Sequence, residues 1–292
     1  MLTYSNTPVQ TLQHPLFDEH NLQVLIKRED LNHPFVSGNK WWKLNYNLEE
    51  AKKLGYTTLL TFGGAHSNHI YATAAAAKEV GLKAIGIIRG DELSVQNNAT
   101  LRFAHEQGMD LHFVSREDYR KRNEQNFTNT LINKFGKAYI IPEGGTNNLA
   151  VQGVALFSAK LHQEIDFDYL CCAVGTGGTL AGLIKGLPHK KLLGFSSLKG
   201  NFMEAEVKKV LQSDATNWTI NSDYHFGGYG KYNQVLLDFI NKAEKDFNIP
   251  LEQVYTGKMF FGVLDLISRN FFPEKSKILL LHTGGMQGKI QG

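Results

Sequence analysis

Short apolar runs alternate with helix-length segments along most of this 292-residue chain, and that alternation limits the fold more than any other feature. A strand buried on both faces shows up as a continuous apolar run, and a parallel neighbour can be reached only by a crossover long enough to hold a helix. The pattern predicts an α/β protein with mainly parallel sheets. Strands are expected at Leu59–Phe62, Ala84–Ile88, Leu111–Val114 and Ala138–Ile141, with helices at Ser67–Val80, Asn97–Gln107 and Glu117–Phe135. Gly81 and Gly108 follow two of these helices as stop signals. After Pro142-Glu143-Gly144-Gly145 the pattern restarts. Strands are then expected at Tyr169–Val174, Leu192–Phe195 and Ile278–Leu281, and helices at Leu149–Leu161, after Gly178, near Phe202–Leu211, at Gln234–Phe247 and at Met259–Arg269. Two domains follow: residues 1–48 with 149–292 form the larger, and residues 49–148 a smaller one inserted in it.

Composition narrows the function classes. Lys and Arg number 31 and Asp and Glu 28, a net charge of +3 with no block of like charge, so the electrostatic footprint of a nucleic-acid binder is absent. The chain has no apolar run near the roughly 20 residues that span a bilayer and no basic-then-apolar start, and the expected location is cytoplasmic. The only cysteines, Cys171 and Cys172, are adjacent in an apolar run, one to each face of a strand. They are expected to fill the core rather than form a disulfide or a zinc site.

Four segments carry chemistry. Lys40 lies in Ser37-Gly38-Asn39-Lys40-Trp41-Trp42-Lys43, and Gly63-Gly64-Ala65-His66-Ser67-Asn68-His69 follows the Leu59–Phe62 strand. A lysine in a Gly-Asn turn at one helix entry, facing a hydroxyl and an amide at another, suits Schiff-base chemistry on an aldehyde cofactor. Alone, such a lysine is an ordinary surface cation. The third segment, Gly175-Thr176-Gly177-Gly178-Thr179, stands between a strand and a helix. Its glycines let N–H groups turn toward an anion, and the helix field adds roughly 0.3 to 2 kcal/mol. A dinucleotide fingerprint would need glycine at Leu180, and a nucleoside-triphosphate loop would need lysine at Leu183. A phosphate cup or a tight turn without ligand remains. The fourth is Leu281-His282-Thr283-Gly284-Gly285, a strand end that can offer a hydroxyl to a crevice. Tyr229 and Tyr255 both sit in glycine-flanked segments. His66 and His69 are one helical turn apart, but no third ligand stands at a recognisable spacing, so no metal is assigned.

Taken in order, these pieces resemble the pyridoxal-phosphate enzymes of the tryptophan-synthase-β fold group, and most closely the 1-aminocyclopropane-1-carboxylate deaminase and D-cysteine desulfhydrase family. The likeness runs from Val24-Leu25-Ile26-Lys27-Arg28-Glu29-Asp30-Leu31 to Gly285. It implies fold type II: two open, mainly parallel twisted sheets flanked by helices, with pyridoxal 5'-phosphate between the domains, and a homodimer. By the same resemblance Lys40 holds the cofactor covalently and moves the α-proton. Lys43 and Gly175, Thr176, Gly177, Gly178 and Thr179 hold the phosphate, Asn68 the phenolic oxygen and Thr283 the pyridine nitrogen. Ser67, with the backbone of Asn68 and His69, takes the substrate carboxylate or acts near the reacting carbon, and Tyr229 and Tyr255 flank the substrate as catalytic acid, base or nucleophile-orienting groups. Three positions depart from the family's pattern. Thr256 stands where the cyclopropane deaminases carry glutamate, Trp41-Trp42 where Thr-Arg is common, and His66 where many relatives have glutamine. Thr256 favours β-elimination of a small amino acid such as D-cysteine, giving a keto acid, ammonia and sulfide. Cyclopropane-carboxylate deamination is the alternative reaction, and a non-catalytic small-molecule or phosphate binder on the same fold is the alternative of another class. Trp41 and Trp42 are expected to pack the helix that carries Lys40.

Overall fold

The computed structural model describes residues 2–96 and 98–290. Ten strands, numbered along the chain, form two sheets among these residues. The six-stranded sheet has the order β1 (Val9–Leu12), β2 (Gln23–Lys27), β10 (Lys277–Leu281), β7 (Tyr169–Val174), β8 (Lys191–Ser196) and β9 (Trp218–Asn221). The four-stranded sheet has the order β5 (Met109–Val114), β4 (Lys83–Arg89), β3 (Thr58–Gly63) and β6 (Tyr139–Ile141). Every pairing is parallel except the edge pair β1 and β2. This is the doubly covered arrangement that the apolar runs predict.

The alternation of side chains decides which core each residue joins. Along β7, Cys171 and Ala173 enter one apolar cluster with Ile26, Ile278 and Leu280, while Leu170, Cys172 and Val174 enter another with Leu25, Leu279 and Leu281. Both cysteines are free, and burial raises both thiols, Cys172 to about 12. They fill opposite cores, as the period of two requires. The smaller sheet divides likewise, with Leu59 and Ile88 on one side and Leu60, Phe62 and Ile87 on the other.

Helices α1 (Pro15–Glu19), α2 (Asn39–Lys53), α3 (Asn68–Val80) and α4 (Ala99–Glu106) lie in the first part of the chain. The expected helix start at Asn97 lies outside the described residues; Asn98 caps α4, its side chain accepting from the Leu101 N–H. The single helix expected at Glu117–Phe135 is two, α5 (Arg116–Arg120) and α6 (Gln125–Phe135), joined by a 3-10 turn and an extended Glu124. No glycine or proline marks the break. Tyr119 and Arg122, which anchor on Glu143 across the domain, hold the first turn apart from the second. Next come α7 (Asn148–Glu164), α8 (Gly178–Gly186), α9 (Met203–Leu211), α10 (Gln234–Phe247) and α11 (Thr256–Ser268). Helix α11 starts three residues before the expected Met259 because the buried Glu252 carboxylate accepts the N–H groups of Val254, Tyr255 and Thr256. Two orphan donors of the helix start, those of Tyr255 and Thr256, are satisfied at once. Strands β1 and β9 and helix α1 were not expected from the sequence. Among the described residues no helix is long and apolar enough to cross a membrane.

Candidate active site

The sequence-predicted residues meet where parallel strands end. Gly63 ends β3, Arg89 ends β4, Glu143 follows β6, Gly175 follows β7 and Thr283 follows β10. Their carboxyl ends open on a cavity of about 390 Å³, within the range that holds small ligands and at the edge where open α/β sheets bind them. Lys40, Lys43, Ser67, Asn68, His69, Gly175, Thr176, Gly177, Thr179, Tyr229, Tyr255 and Thr283 all line it. Gly178 does not, but a Cβ there would lie 3.2 Å from Lys43 Nζ.

Lys40 is placed by a backbone junction. Gly38 has φ +67° and caps α2, and the Asn39 N–H donates to the Thr283 carbonyl at 3.3 Å. The Asn39 side chain donates to Thr179 Oγ1 at 2.7 Å, tying the lysine turn to the glycine-rich loop. The Lys40 ammonium donates to Asn39 Oδ1 at 3.2 Å and otherwise faces the cavity. The residue is half-buried, and the surrounding protein lowers its pKa to about 8 by desolvation. An amine with that pKa is about 9 % free at pH 7, against about 0.03 % at 10.5. The sign gives a prediction: uptake of pyridoxal phosphate by the cofactor-free protein rises about 50-fold from pH 6 to 8 and less than twofold from 8 to 9. Stopped-flow absorbance follows it. A further roughly tenfold rise from pH 8 to 9 contradicts the lowered pKa.

Lys43 is buried one turn further on. It donates to the Gly144 carbonyl at 2.5 Å and to Thr146 Oγ1 at 2.9 Å, and Thr146 shares a 2.6 Å hydrogen bond with Thr176. Burial and then the Lys40 charge push its pKa well down. Two crowded cations with no carboxylate hydrogen-bonded to either mark an anion site. In the loop beside them, Gly177 has φ +81° and caps α8, and a Cβ on Gly175 would meet the Tyr255 ring at 3.0 Å. Close backbone approach and a helix N-terminus make the cup suited to a phosphate.

The second helix entry is also built as expected. Ser67 caps α3, its hydroxyl accepting from the Ile70 N–H at 3.3 Å. Asn68 Oδ1 accepts from Gln287 at 2.6 Å, which orients the amide nitrogen. His69 is buried with one ring nitrogen at 2.7 Å from Thr61 Oγ1 and the other at 3.4 Å from Thr73 Oγ1. Burial, then Lys40 and Lys43, hold it neutral. His66 turns to Asn98 at 3.2 Å and does not line the cavity, so the pair cannot close on one metal ion.

Tyr255 ends the turn before α11 as its N-cap residue, and its ring stands 6.1 Å from that of Tyr229 in an edge-on pair. Burial raises both phenols, and Tyr229 raises Tyr255 further, so both keep their protons at neutral pH and act as donors. Thr256 does not line the cavity; its hydroxyl donates to Glu252 Oε1 at 3.1 Å. Trp42 donates to the buried Glu29 at 2.6 Å and packs on Phe157 with ring centroids 4.9 Å apart, while Trp41 donates to the Thr3 carbonyl at 2.7 Å. Neither lines the cavity, and both brace α2. Sequence reasoning missed Asn39, Arg89 and Glu143. The available signal was their place directly after a parallel strand or before the lysine.

These residues fit pyridoxal phosphate: a lysine with a lowered pKa, a cationic glycine-lined cup and an oriented amide share one cavity. A family model described as pyridoxal-phosphate dependent enzyme matches residues 1–284, and the chain belongs to that family. A putative 1-aminocyclopropane-1-carboxylate deaminase of Thermotoga maritima is 32% identical, with 98% of this chain and 96% of that protein covered. A bifunctional D-cysteine desulfhydrase/1-aminocyclopropane-1-carboxylate deaminase of Arabidopsis thaliana is 28% identical over 98% of this chain and 78% of its own length. The crystal structure of an ACC deaminase homologue superposes with TM-score 0.83 at 30% identity, covering 99% of this chain and 92% of the other. Within the larger family, the chain is an enzyme of the 1-aminocyclopropane-1-carboxylate deaminase and D-cysteine desulfhydrase group, with the fold of type II pyridoxal-phosphate enzymes.

Proposed function

We propose that the enzyme catalyses β-elimination on a small amino acid, with D-cysteine the preferred substrate, to give a 2-keto acid, ammonia and sulfide. One observation carries the choice. Thr283 lines the cavity while Thr256 is turned away onto Glu252, and the one cavity carboxylate among the described residues, Glu143, is held by Tyr119 and Arg122. A ring nitrogen held at Thr283 would meet a hydroxyl rather than a carboxylate and would not be held protonated. Such a ring stabilises α-carbon charge less, and a substrate with a good β-leaving group needs that stabilisation least.

Pyridoxal phosphate supplies an aldehyde that joins the substrate amine and a ring that withdraws electrons from the α-carbon. The chain's own residues do the rest. Lys43 and residues 175–179 would hold the phosphate, Asn68 the phenolic oxygen, and Ser67 with the N–H groups of Asn68 and His69 the substrate carboxylate. The free amine of Lys40 takes the α-proton. The Cβ–S bond breaks with its electron pair on sulfur, and Tyr229 or Tyr255, protonated at neutral pH, donates to the departing thiolate. Water then converts the released enamine to pyruvate and ammonium. The two sheets favour a division into residues 1–48 with 149–292 and an inserted unit, 49–148; the resemblance favours a homodimer.

The test is steady-state assay of keto acid, ammonia and sulfide from D-cysteine, L-cysteine and 1-aminocyclopropane-1-carboxylate. We expect sulfide from D-cysteine with kcat/KM at least about tenfold above that for the cyclopropane, a difference of about 1.4 kcal/mol in transition-state binding. Keto acid from the cyclopropane without sulfide from either cysteine overturns the proposal.

A further inference from the structure

Arg89 is the cleft residue that the reaction leaves without a task. It ends β4, and its guanidinium lies against the Gly64 turn that leads into Ser67; a Cβ on Gly64 would stand 3.4 Å from Arg89 Nη2. It lies close enough to Tyr229 to favour ionisation of that phenol. The carboxylate that could have paired with it is taken. One oxygen of Glu143 accepts from Tyr119 at 2.8 Å and the other pairs with Arg122 at 2.8 Å. Arg122 also covers the Tyr119 ring more closely, at 5.1 Å against 5.8 Å for Arg89. Among the described residues the Arg89 guanidinium has neither a hydrogen bond nor an ion pair, and the residue lines the cavity half-buried.

A partly desolvated guanidinium without an acceptor is costly unless a ligand supplies one. Two anions of a bound cofactor and amino acid already have places: the cup with Lys43, and the α3 entry at Ser67. A third cation on the Ser67 and Tyr229 side of the cleft has no anion left to receive. We infer that Arg89 selects amino acids whose side chain ends in an anionic group, a carboxylate or its equivalent, which the planar fork can receive in bidentate form. The inference rests on the reading of the cleft as an amino-acid site beside Lys40, and it extends the substrate class beyond cysteine itself to β-substituted amino acids with a charged far end.

Binding separates this inference from the elimination reading, because aspartate and alanine carry no β-leaving group. The cofactor absorbance of the loaded enzyme is titrated with both enantiomers of aspartate and of alanine. Wild type is expected to bind one enantiomer of aspartate about 10- to 100-fold more tightly than the matching alanine, the span of a hydrogen-bonded charge. Arg89→Gln brings that ratio to near one, and Arg89→Lys, which keeps the charge and loses the fork, falls between. Equal affinities in wild type overturn the inference, as does an Arg89→Gln variant that weakens both ligands alike, which makes Arg89 an α-carboxylate anchor. If the ratio holds while D-cysteine gives no sulfide, the elimination reading falls and Arg89 stands. Sulfide with a ratio of one gives the reverse.

Discussion

Replacing Lys40 with alanine removes turnover by a factor on the order of 10³ or more, together with the absorbance of covalently held cofactor. The size of the effect follows from two tasks on one atom. Of the two cavity lysines, Lys43 is spent on the Gly144 carbonyl and Thr146, whereas among the described residues Lys40 bonds only the Asn39 side chain. It is also the base nearest the substrate side, since the phenols keep their protons and His69 is locked between two threonines. The fold should not suffer. Lys40 has one side-chain hydrogen bond, and its loss removes a charge that disfavours protonation of Lys43 and His69. The cofactor-free variant is therefore expected to melt at or above the wild-type temperature, by calorimetry. Turnover within tenfold of wild type would remove Lys40 from the chemistry, and a lowered melting point would mean that the loss is structural.

Gly38→Ala is expected to have the largest effect on stability, about 3 kcal/mol or more, in denaturant titration of the cofactor-free protein. Two penalties add. The backbone at φ +67° and ψ −138° is one that residues with a Cβ rarely adopt. An added Cβ would also lie 1.9 Å from the Thr283 carbonyl oxygen and 2.6 Å from the Gly284 nitrogen, and both are backbone atoms that cannot swing aside. Relief requires parting the α2 entry from the turn after β10, which breaks the bond from the Asn39 N–H to Thr283. That junction holds Lys40 and Thr283 to one another, so cofactor affinity should fall with stability. A variant as stable as wild type would mean that the junction opens without cost.

Sequence legibility tracked how local the determining forces are. Helix α10 has the expected bounds because both ends are written beside it: Asn233 caps the start and Asn248 takes the left-handed conformation at the stop. Ser67 and Gly81 do the same for α3. Where the deciding contact is distant, the reading failed. Glu252 begins α11 early, directly after Tyr255, and Tyr119 and Arg122 split one helix by reaching Glu143. The sequence predicts the packing role of the two tryptophans, but their hydrogen bonds to Glu29 and to Thr3 depend on chain brought in from the amino terminus. The cleft itself was legible because its parts are backbone devices with local signatures: glycine turns, helix entries and strand ends. Arg89 had only the weaker signal of standing directly after an expected strand, and its task shows once the cleft is assembled around the end of β4.

The central claim is that Lys40 is the covalent anchor of a pyridoxal-phosphate site, and burial gives it rivals. Lys43 is also strongly depressed, and Lys258, held by the carbonyls of His225 and Gly228, is lowered to about 8. Borohydride reduction of the loaded protein followed by peptide mass mapping decides among them. The structure predicts one pyridoxyl phosphate per chain on the peptide containing Lys40. Label on Lys43 or Lys258, or a cofactor lost on denaturation after reduction, would contradict it.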